Sequence, residues 1–168
     1  MRALTIGHGG AIAAILAGLV RAVLIIAPLT GLDTAGLETL YLAVDLAILL
    51  ALFGIATRLG DRLGRWGVLG LIMAAVGLLV IRTGERSLFG AAAYPAGSAL
   101  LAIGLAIALA PLLRTGGTGR VAATLLIASP IAAILGGVLG LAALASTLAT
   151  ALFSAGLIAI GLTLLPRA

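Results

Sequence analysis

Residues 121–165 run for forty-five positions without one charged side chain. A single helix crosses the ~30 Å hydrocarbon core of a bilayer in about 20 residues. The run is therefore read as two membrane spans, 121–138 and 147–165, joined by a tight hairpin. Gly136, Gly137 and Gly140 give the chain freedom to turn between them, and Ser146 with Thr147 offers a cap to the second. Pro130 removes a backbone donor inside the first, which predicts a kink there.

The rest of the chain divides by the same length rule. It is 63% hydrophobic and 9% charged, whereas soluble domains run to about 25% charged. Further spans are predicted at 10–28, 37–56, 66–81 and 95–113. Pro28 and Gly31 mark the end of the first, which shows no cleavage site of the kind that follows a signal peptide. Asp33 with Thr34 can cap the second, and Glu38 in its first turn complements the helix dipole. The charged stretch 57–65 is read as the loop that closes it, with Trp66 as an interfacial anchor. Residues 82–87 close the third span. Pro95 suits the first turn of the fourth, and the glycine-rich 114–120 follows it. The expected fold is all-α: one membrane domain of six transmembrane helices spanning residues 1–168.

All ten basic residues are arginine, and Lys, Cys, Asn and Gln are missing. With the N-terminus inside, the cytoplasmic side carries Arg2, Arg58, Arg62, Arg65, Arg114, Arg120 and Arg167. The outer side carries Arg82 and Arg86, with Asp33, Glu38 and Glu85. That split predicts cytoplasmic termini and the inner membrane of a bacterium, and the Arg-, Ala- and Gly-rich usage suggests a GC-rich genome. The net charge of +5 does not predict a nucleic-acid partner, because the arginines form no stripe or face. The expected partners are the lipid bilayer and either another membrane protein or a small molecule.

Two charges lie inside predicted spans. Asp45 sits in the second and Arg21 in the first, each about 12 Å from the outer end at 1.5 Å per residue. A charge at that depth costs at least ~2.5–3.5 kcal/mol on insertion scales, so it calls for a partner or a task. An Arg21–Asp45 ion pair is predicted, with Glu38, Tyr41 and Asp45 on one helix face and Tyr41 donating to the carboxylate. The candidate ligand-binding set is Arg21, Glu38, Tyr41 and Asp45. Two blander readings stand beside it: the pair only fixes helix packing, or Arg21 snorkels to the interface alone.

His8 stands alone and is read as a solvated interfacial residue. No metal site and no cofactor are expected, and no catalytic residue is assigned. An intramembrane enzyme needs paired acids, a Ser–His pair at depth or a metal cluster, and none is evident. The expectation is a non-enzymatic carrier or ligand-binding membrane subunit with an outward-facing pocket. The alternative is an accessory or assembly subunit of a larger membrane complex, in which the pair is structural. A cavity reaching Asp45 favours the first, and charges turned toward lipid favour the second.

Overall fold

The computed structural model describes residues 2–25, 33–83 and 90–165. Pro28, Gly31, Glu85, Arg86 and Arg167, which carry part of the sequence argument, lie outside them. The described residues are all α, with no strand. Helix α1 spans Arg2–Val23, α2 Thr34–Thr83, α3 Ala93–Leu109, α4 Thr118–Val138 and α5 Ala142–Leu164.

Helix α2 starts where the sequence predicts a cap: Asp33 Oδ1 accepts the Gly36 N–H at 2.8 Å, satisfying one of the orphan donors of the first turn. Its course then departs from expectation. The charged stretch 57–65 is not a loop; the helix passes through it and only Gly64 leaves helical geometry, at φ 65 and ψ −172. The physical reason is that Ile55, Leu59 and Leu63 repeat every fourth residue and are buried, while Asp61, Arg62 and Arg65 face outward. Amphipathic spacing holds the segment helical although its charges mark an interface.

The chain reverses at Gly64. Asp45 and Arg82 form an ion pair, yet a straight helix would hold them roughly 55 Å apart. Nearly equal numbers of residues separate Gly64 from each of them. So α2 is a hairpin of two limbs, 34–63 and 65–83, where the sequence predicts two spans with a loop between.

Proline and glycine set the remaining boundaries. Pro95 lies in the first turn of α3. Pro111 cannot donate to the preceding turn, and α3 tightens into a 3-10 segment over Ala110–Arg114. Helix α4 runs on through Pro130. It ends at Gly140, φ 73, with Leu141 N–H on Gly136 O at 2.8 Å and Gly140 N–H on Gly137 O at 3.2 Å. That double closure is a Schellman motif, which needs a left-handed residue at the position Gly140 fills. Helix α5 begins directly after it, so Ser146 and Thr147 lie inside the helix instead of capping it.

Helix α1 packs between the first limb of α2 and α5; the second limb of α2 packs on α3, and α4 on α5. Contact is made through small residues. A Cβ on Gly10 would stand 2.5 Å from Gly54 Cα, so α1 and α2 meet backbone to backbone. Gly70 and Gly104 likewise bring α2 and α3 together. Ala11, Ala14, Ala17, Ala51, Ala74, Ala108, Ala122 and Ala123 are all but fully buried, while Leu16, Leu46, Leu50, Phe53, Ile72 and Leu79 are about half exposed. Ile48, Ile55, Leu109, Leu126 and Ile160 fill the space between the crossings, but the crossings themselves use small residues, as helices packed in lipid do, where close backbone approach replaces the hydrophobic drive. Four of the helices are long and apolar enough to cross a membrane, and 7–23 of α1 is a shorter apolar helix.

These pairings gather chain ends. Gly161 of α5 meets Ala11 and Ile15 of α1, Gly67 of α2 approaches Ala108 of α3, and Arg58 lies across Gly7. The start of α1, the Gly64 turn, the α3–α4 connection and the end of α5 therefore share one end of the bundle. Arg58, Arg62, Arg65, Arg114 and Arg120 belong to it; Arg21 and Arg82 belong to the other half.

Candidate functional site

The sequence places Arg21 and Asp45 at one depth. From the Gly10–Gly54 crossing, α1 and α2 run antiparallel, and the two residues lie similar distances along their helices in the same direction. The predicted pair nevertheless does not form. Asp45 is 7% exposed, and its Oδ2 accepts a hydrogen bond from Arg82 Nε. Arg21 turns the other way, with its Cζ 5.1 Å from the centre of the Phe153 ring on α5. The reason is angular. Helix α1 lies between α2 and α5, and the first limb of α2 meets α1 at Gly54 and its own second limb through Arg82. Each charge takes the neighbour on its far side.

Tyr41 also departs from expectation. It is 40% exposed and makes no hydrogen bond to Asp45, whose ion-pair partner is the Arg82 guanidinium. Glu38 does join the site, through Arg82. Beyond the ion pair, on the side away from Gly64, an open depression of about 530 Å³ is lined by Ala35, Glu38, Thr39, Leu42 and Arg82. The Thr39 hydroxyl donates to Ala35 O at 2.8 Å, so the groups left to meet a ligand are the Glu38 carboxylate and the remaining Arg82 N–H donors. Asp45 forms no part of the wall. It holds Arg82 from beneath, and a guanidinium bonded on one edge still offers donors on the other.

Arg82 is the residue the sequence argument missed. Its place at a span end reads as an ordinary interfacial charge. The available signal was its distance from Gly64, matched to that of Asp45, which becomes informative once Gly64 is known to be the turn.

At the opposite end, His8 is not a freely solvated residue. Arg58 Nη2 stands 3.1 Å from His8 Nδ1. Arginine only donates, so Nδ1 accepts and the ring proton lies on Nε2. This contact ties α1 to α2 beside the Gly10–Gly54 crossing. The hydroxyls serve the backbone: Ser129 donates to Ala149 O across α4 and α5 at 2.8 Å, and Ser154 to Thr150 O at 2.8 Å. Among the described residues no three His, Asp or Glu side chains gather as a metal site requires.

No family model, curated protein or solved structure matches the chain.

Proposed function

We propose that the protein is a small multi-pass membrane protein that holds a small polar ligand at the outer end of the α2 hairpin without transforming it, as a carrier or ligand-binding subunit. The observation that carries this reading is the double duty of Arg82, which binds Asp45 on one side and lines an open depression with Glu38 on the other. A wall bearing one fixed cation and one fixed anion complements a zwitterion, a molecule with an ammonium and a carboxylate of its own. In this reading the chain crosses the bacterial inner membrane six times, the two limbs of α2 each counting once. The arginine-rich end and both termini face the cytoplasm.

A second reading has one observation in its favour: the depression stops short of Asp45. An ion pair that only locks the two limbs together suits an accessory subunit of a larger complex.

The test is a thermal-shift screen of the purified protein against amino acids and singly charged analogues of similar size. Zwitterions are expected to raise the melting temperature, singly charged analogues to do so less, and Glu38→Gln to abolish the effect. No response to any of them, with a second membrane protein co-purifying in stoichiometric amount, would establish the accessory reading instead.

A further inference from the structure

Arg21 presents a separate problem. Its Nε is buried and has no hydrogen-bond partner, and its described contact is with the Phe153 ring. An aromatic face attracts the cation without accepting its in-plane N–H donors. Nor does the chain offer a described carboxylate to it. Asp45 is paired with Arg82, Asp33 accepts the Gly36 N–H, Glu38 lines the α2 depression, and Asp61 lies by the Gly64 turn. A guanidinium at membrane depth without an anion is costly, so the missing acceptor is read as one that comes from outside the chain.

The surroundings narrow its chemistry. Near Arg21, α1 exposes Leu19 and Val23, and α5 beyond Phe153 exposes Leu144 and Leu148. A soluble anion reaching Arg21 would have to shed its water against this apolar surface. An amphiphile would bring its own apolar body. We propose that Arg21, held by Phe153, binds the anionic head group of a lipid, a phosphate or carboxylate carried on an acyl chain that lies along α1 and α5. Nε is shut away behind the ring, so the donors open to such a group are the two Nη nitrogens at the end of this partly exposed side chain.

The experiment adds phosphatidylglycerol, phosphatidylcholine with the same acyl chains, or inorganic phosphate to the protein in mild detergent. Melting temperature and bound lipid by native mass spectrometry are the readouts. Phosphatidylglycerol should bind and raise the melting temperature of the wild type, while the other two do neither. Arg21→Gln should weaken that binding by about tenfold or more, the loss of one charge-assisted hydrogen bond. Without lipid it should melt close to the wild type, since it loses the Phe153 ring contact but no ion pair or hydrogen bond within the chain. Glu38→Gln should leave lipid binding unchanged, which separates this site from the α2 depression. Equal binding of the two lipids, or an undiminished response in Arg21→Gln, would overturn the proposal. Inorganic phosphate acting as well as the lipid would overturn it too, because the acyl chain would then be idle. If Arg21→Gln does not accumulate, Phe153→Leu decides. It keeps the charge but removes the ring that places it, and phosphatidylglycerol binding that stays at wild-type strength would refute the site.

Discussion

Arg82→Gln and Asp45→Asn remove one ion pair but leave different remainders. Losing Arg82 strands a carboxylate whose side chain is 10% exposed, whereas losing Asp45 leaves a guanidinium already 35% exposed and able to turn toward water. Arg82→Gln should therefore cost about 3–5 kcal/mol in a melting experiment, and Asp45→Asn only about 1–2 kcal/mol. The double variant should cost less than the two together. A cycle on Arg21 and Asp45 should instead be additive within about 0.5 kcal/mol, since the two share no contact. Depth was legible in the sequence because the rise per residue of a helix is fixed. Direction around the bundle was not, because it depends on which helix packs on which side. Arg21 and Asp45 thus lie at similar distances from the Gly10–Gly54 crossing but take partners other than each other.

At the level of the helix, Gly64 sets the fold of α2. Its φ of 65 with ψ −172 lies in a region that only glycine visits cheaply. Gly64→Ala should cost about 1–3 kcal/mol. Gly60→Ala, four residues earlier and with open space around its Cβ position, should be neutral or stabilise by up to about 1 kcal/mol. Chemical denaturation of the two variants side by side checks this, and equal losses would mean that the turn is not held by Gly64. The charges of 57–65 made a loop the natural expectation. They mark the level of the interface, and it is the Ile55, Leu59, Leu63 repeat that records the helix. The α4–α5 turn was only bracketed, because Gly136, Gly137 and Gly140 all offer freedom to reverse and Ser146 with Thr147 offers a cap; it is Gly140 that takes the left-handed backbone.

Across the whole molecule, the chain contains no cysteine, so single cysteines report topology without background. Thr34→Cys should react with a membrane-impermeant thiol reagent in intact cells, and Thr118→Cys only after lysis. The opposite pattern would invert the orientation and place the α2 depression on the cytoplasmic side. The close helix crossings made by glycine and alanine also decide how the protein tolerates change. In a water-soluble domain, trimming a large apolar side chain is the damaging event. Here the buried Ile48, Ile55, Leu109 and Ile160 remain sensitive in that way, and the alanines and glycines at the crossings add a second kind of vulnerable position, where an added methyl forces helices apart; a leucine on the perimeter only exchanges lipid contacts for lipid contacts. A lineage carrying this fold would drift freely through Leu, Ile, Val and Phe along its rim while Gly10, Gly54, Gly70 and Gly104 stayed fixed. Its descendants would come to share a pattern of glycines more than a sequence.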